Sequence, residues 1–215
     1  MSDSIPIIFH VVQKAHLVDH FGDEIGGLLA AARPPIRADV RSYDARWKSI
    51  AEGERKLEAS SRGGMIIFAL GKLIEKAGMK QLGFLANQSC THEIVVSADW
   101  GQEIFRFTVM TQPLDSIANA IRAFLSWCRD NPTLTSEEFW GNFGNDIDGR
   151  EFESVADVLD NVRPSLDPNE EICDSDSWNA ALAFSVLKTI IELLDYASAE
   201  NYWVVCEHWG GFESA

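Results

Sequence analysis

Residues 174–198 read DSDSWNAALAFSVLKTIIELLDYAS, and from Trp178 to Leu187 the run holds no charged side chain. Wound as a helix, that stretch is apolar or small on every face, so it reads as a central, nearly surrounded helix. Asp174 or Ser175 stands where a cap is needed, since a short side-chain oxygen can accept from the unpaired N–H groups of a first turn. Lys188 and Glu192 form an i,i+4 pair where the helix emerges toward water. The helix is expected over 176–198.

Working outward, Pro113 opens a second helix, expected over 114–130. Leu114, Ile117, Ala118, Ile121, Leu125 and Cys128 recur at its period, and Asn131-Pro132 stops it. Gly63-Gly64 precedes an apolar helix at about 65–77, closed by Gly78 as the left-handed residue past the cap. Further helices are expected at 17–32, before the Pro34-Pro35 break, and in the polar stretch 39–58. Two short ones are expected near 136–142 and 151–161.

Strand signals alternate with these. Ile5–Gln13 is short and rich in β-branched residues, and 92–98 and 103–110 flank a turn at Asp99-Trp100-Gly101-Gln102. The closing YWVVCEHWGG, residues 202–211, reads as a terminal core strand leaving at Gly210-Gly211. Helices and strands mix without a regular βαβ rhythm. The expected fold class is therefore α+β, a single domain over 1–215 with a mixed or antiparallel sheet packed by several helices and an acidic, loop-rich segment at about 131–176.

No apolar run approaches the roughly 20 residues that span a bilayer. The most apolar one, Met65–Leu70, stops at Gly71-Lys72, and Met1–Pro6 carries no basic stretch ahead of an apolar one. The four cysteines are scattered without a CxxC pair. Reduced thiols, no secretory signal and a cytoplasmic location are the expectations.

Catalytic signatures fail at the residues their mechanisms need. GMIIFALGK puts six residues between Gly64 and Gly71-Lys72 where a phosphate-binding loop has about four, and Leu73 replaces the magnesium-holding hydroxyl. HEIVV places Val96 where a zinc protease has its second histidine. NDIDGREF resembles the middle of a calcium loop, but Val155 stands where the bidentate glutamate belongs. His16 and His20 lie one turn apart with Asp19, Asp23 and Glu24 nearby, and no third ligand is specified. Cys90/His92 and Cys206/His208 would form a Cys₂His₂ site only if their strands were neighbours. No catalytic residue, metal or cofactor is expected.

Charge is more informative. The net charge of −15 is lopsided: residues 1–130 hold 15 acids and 15 bases, and residues 131–215 hold 18 acids against three bases. Within 137–176 there are 13 acids and two bases. Trp140, Phe143 and Phe152 lie among them. Carboxylates that steer a partner and aromatics that anchor it suit recognition of a basic protein. The expected contact residues are Glu137, Glu138, Trp140, Phe143, Asp146, Asp148, Glu151, Glu153, Asp157, Asp160, Glu170, Glu171, Asp174 and Asp176. The other reading is a solvated acidic face over aromatics that serve the core. Direct nucleic-acid binding is not expected, because the Arg33–Arg62 stretch dilutes its bases with acids.

Size, acidity, seven tryptophans and the lack of catalytic motifs together give a profile that resembles bacterial immunity proteins of polymorphic or type VI secretion toxin systems. The resemblance implies a compact cytosolic protein that occludes a basic cognate toxin, such as a nuclease. It rests on the profile alone and assigns no residue. A phage-type inhibitor that mimics DNA would share the charge signature, and a cytosolic enzyme of unrecognised type is the rival from another class.

Overall fold

The computed structural model describes the backbone of residues 4–12, 56–62, 65–86, 93–100, 103–110, 113–145, 149–164, 171–174 and 179–209, and the side chains of residues 11, 68–85, 113–145, 149–164 and 179–204. The elements are β1 (Ser4–Val12), β2 (Lys56–Arg62), α1 (Met65–Ala77), a 3₁₀ helix (Lys80–Ala86), β3 (Glu93–Trp100), β4 (Glu103–Met110), α2 (Leu114–Asp130), α3 (Pro132–Glu138), α4 (Val155–Asn161), β5 (Glu171–Asp174), α5 (Ala180–Ala199) and β6 (Trp203–Trp209).

Helix α5 is the charge-poor helix of the sequence, and it is buried around most of its girth. Ala180, Ala183, Phe184, Leu187, Leu194 and Ala197 have no exposed surface. Helix α2 buries the narrower stripe Leu114, Ile117, Ala118, Ile121, Phe124 and Cys128. Phe124 takes the core position expected for Leu125, which is half-buried. Arg122 pairs with Asp195, and Ser198 donates to Asp115, so α2 and α5 are also tied at their surface. Burial pushes the Cys128 thiol up to about 12, so it packs as a neutral apolar group.

Three helix ends close in the same way. At α1, Met79 N–H donates to Ile74 C=O at 3.1 Å and Gly78 N–H to Glu75 C=O at 3.0 Å. This Schellman pair needs a left-handed residue past the cap, and Gly78 supplies it with φ 68°. At α5 the same pair runs from Tyr202 to Ala197 and from Asn201 to Ser198, with Asn201 at φ 56°. At α3 it runs from Gly141 to Ser136 and from Trp140 to Glu137. The left-handed residue there is Trp140, at φ 52°.

The expected fold class, an α+β arrangement with a sheet packed by helices, is overturned. Of the residues with placed side chains, 71% are helical and 5% are strand, with no sheet among them. Their interior is a helix-on-helix core. The strand backbones pair in the order β3-β4-β6-β1-β2-β5, yet of their side chains only Val11, Trp203 and Val204 are described. Val11 and Val204 reach the apolar core. The physical reason lies in what patterning encodes. Period-two runs specify extended chain, and 93–100, 103–110 and 203–209 are extended and antiparallel. They do not specify which layer covers a helix, and here α5 takes its main cover from α2 and its neighbours.

Local expectations are corrected in four places. Helix α5 begins at Ala180 with Asn179 as its cap, not at 176. Lys188 does not pair with Glu192; its ammonium donates to Leu159 C=O at 2.8 Å and Val162 C=O at 2.7 Å. It thereby closes the C-terminus of α4 while burial lowers its pKa. Asn131-Pro132 ends α2 but starts α3 at once, with Pro132 in the first turn where a missing N–H costs nothing. The stretch expected to be helical at 39–58 is strand from Lys56 onward. The expected helix at 17–32 and the turn residue Gly101 lie outside the described residues.

Candidate functional site

A groove of about 510 Å³ lies between α3 and the start of α4. One wall is Pro132, Thr133, Ser136 and Glu137 of α3, the other is Glu153, Ser154 and Val155, and Trp140, Gly141 and Phe143 close the end. Four residues expected at an interface, Glu137, Trp140, Phe143 and Glu153, therefore share one concavity. Sequence reading missed Pro132, Ser136 and Ser154. Placing the helix at 136–142 put Trp140 inside it, although Gly141 was a signal that the helix ends there.

The loop that carries Trp140 is tied to the central helix. Phe139, the residue before it, has 0% exposure and meets Phe184 edge-to-face at 5.8 Å between ring centroids. Asn142 C=O accepts from Ala180 N–H at 3.1 Å, and Phe143 C=O accepts from Ala181 N–H at 2.9 Å. Asn179 Oδ1 accepts from Leu182 N–H at 2.8 Å. The loop thus satisfies N–H groups that every helix leaves unpaired at its start, and this sets where α5 begins. Gly144 fits beneath with φ 79°, and a Cβ there would stand 2.5 Å from Asn179 Oδ1. From this anchored platform Trp140 projects with 78% of its surface exposed.

The other wall has its own supports. Ser154 caps α4 by accepting from Asp157 N–H at 3.1 Å, and the Asp157 carboxylate accepts from Glu153 N–H at 3.1 Å. Arg150 and Asn161 each donate to Asp157 Oδ1 at 2.7 Å. These bonds hold the backbone of Glu153 and Ser154 in place against α3.

The acidic segment accordingly divides by partner. Glu138 is held by Lys76 at 2.6 Å and Lys72 at 3.6 Å, Asp157 by Arg150 at 2.7 Å, and Asp160 by Arg129. Those carboxylates fasten α1, α2 and α4. Glu137, Glu151 and Glu153 are exposed. Phe152 is buried at 5% exposure and belongs to the core, while Phe143 is half-buried. Glu171 and Asp174 stand on β5, paired with Glu58 and Ser61 of β2, and their side chains are not described. Asp146, Asp148, Glu170 and Asp176 lie outside the described residues.

Cys206 and His208 are on β6, whose neighbours are β4 and β1, and β3 begins one residue after His92 and pairs with β4. The two Cys-x-His stretches therefore do not lead into adjacent strands. Cys90, His92, His16 and His20 lie outside the described residues. Among the described residues no helix is long and apolar enough to cross a membrane. Comparison with protein-family models, curated proteins and solved structures gave no match.

Proposed function

We propose that this protein binds a basic partner protein through the groove between α3 and α4, and that it acts in the cytoplasm as the immunity partner of a toxin. The observation that carries the reading is Trp140. A large apolar ring is held in water, at a backbone position that suits glycine, by a loop locked to the core. Left-handed backbone costs a bulky residue about 1–2 kcal/mol. A binding anchor gives that cost a use, because buried tryptophans at interface centres supply much of the affinity. Glu137 and Glu153, both exposed and both lining the groove, suit a cationic partner and would steer its approach.

Co-expression with the products of adjacent genes tests the proposal. One of them should be basic and toxic alone, and should form a stoichiometric, non-toxic complex with this chain. Trp140→Ala should weaken that complex by about thirtyfold or more, mostly through faster dissociation. A complex that forms equally well with Trp140→Ala, or a neighbourhood with no such product, overturns the reading.

A further inference from the structure

We infer that the loop at residues 141–145 is a latch between the groove and the central helix: the α4 wall, the loop and the first turn of α5 open and close as one unit. The latch is a regulatory feature of the proposed site, and it rests on that reading for what occupies the groove. Its bonds run in two directions from one short stretch of backbone. Toward α5, Asn142 C=O accepts from Ala180 N–H at 3.1 Å and Phe143 C=O from Ala181 N–H at 2.9 Å. Toward α4, Gly144 C=O accepts from Phe152 N–H at 3.1 Å, and Asn145 forms an antiparallel bridge with Glu151. Gly141 and Phe143 line the groove, and so do Glu153, Ser154 and Val155, which follow Phe152 directly.

Burial makes these bonds interdependent. Ala180, Ala181 and Phe152 are all buried, and a buried N–H that loses its acceptor without reaching water is costly. Withdrawal of the loop therefore requires that all three donors be released to solvent together. Packing adds to the link. Gly144 lies so close to Asn179 that a Cβ there would stand 2.5 Å from Asn179 Oδ1, the atom that accepts from Leu182 N–H at 2.8 Å. The loop thus touches the cap of α5 as well as bonding its first turn. Among the described residues none from α5 lines the groove. A partner that binds only the closed groove nevertheless stabilises the start of α5 by mass action, because the open form cannot hold it.

The test is native-state hydrogen exchange on the intact, isotope-labelled protein across low denaturant. The amides of Phe152, Ala180, Ala181 and Leu182 should exchange through one opening, with protection within about threefold of each other and a shared denaturant slope. Asn179→Ala should speed all four by a common factor of about fivefold. Phe152 should be included, although its N–H bonds to Gly144 and not to Asn179. Gly78→Ala is the control, because it strains the end of α1, which stays folded when the latch opens. It should speed the amides that exchange by global unfolding and leave these four unchanged. If Asn179→Ala speeds the α5 amides and leaves Phe152 unchanged, α5 frays alone and the latch is overturned. If Gly78→Ala speeds the four as much as the global set, they open only with the whole protein, and the latch is overturned again. Either failure leaves the proposed function standing, since it turns on a complex that needs Trp140; a complex indifferent to Trp140 ends that function whatever the exchange pattern.

Discussion

Helices α1 and α3 end in the same hydrogen-bonded turn, one on Gly78 and the other on Trp140. The two turns match bond for bond, from the second residue past the cap back to the third from the end, and from the first back to the second. Their left-handed φ values are 68° and 52°. At α1 the sequence takes the low-energy choice and the end is purely structural. At α3 the same geometry carries the least suitable kind of side chain, with its ring in solvent. The same backbone demand is met by glycine in one turn and by an exposed tryptophan in the other, and on the proposed function the second is there for what its side chain presents.

Four substitutions bear on that contrast, from the largest expected effect to the smallest. Phe139→Ala removes the buried ring under the Trp140 turn and its contact with Phe184, and should cost about 3–5 kcal/mol in chemical denaturation. A loss under about 1 kcal/mol would mean that the turn is not anchored by the core at all. Gly144→Ala should cost about 1–3 kcal/mol, because it combines a left-handed backbone with a Cβ driven into the Asn179 cap. That variant should also weaken partner binding, since Asn142 and Phe143 lie in the displaced loop.

Gly78→Ala meets nothing within 4 Å, so only the backbone cost of about 1–2 kcal/mol remains. This is the calibration for the motif without a clash. Trp140→Gly should show the opposite sign: a gain of up to about 1 kcal/mol, the strain relieved less the added entropy of the unfolded chain. Thermal melts of the two glycine-site variants, read together, break the comparison if both lose stability. In that case the Trp140 ring stabilises its own turn and no functional explanation is required. If Trp140→Gly melts higher yet fails to hold the partner, stability and binding have been traded at one residue.

Much of the helical framework was legible in the sequence. The bounds of α2 and the end of α1 at Gly78 follow from proline, glycine and apolar spacing, which act over a single turn. The site was legible only in part. The charge count marked a segment from which Glu137, Trp140, Phe143 and Glu153 line one groove. It could not separate Glu137 from Glu138 or Glu153 from Asp157. That separation depends on Lys72, Lys76 and Arg150, and the two lysines lie more than 60 residues away from Glu138.

By itself, then, the sequence determined that the charge-free run Trp178–Leu187 belongs to a largely buried helix, that α1 and α2 stop where they do, and that the excess of acid falls after residue 130. These are properties of side chains and of their near neighbours along the chain. Tertiary structure alone decided that helices cover helices in the described core, that α5 starts at Ala180 behind the Asn179 cap, and that Trp140 is exposed on a left-handed turn. Each of these depends on partners distant in sequence. The carbonyls of Asn142 and Phe143 reach the free N–H groups of Ala180 and Ala181, and Phe139 finds Phe184. Those contacts tether the backbone on both sides of Trp140 to α5.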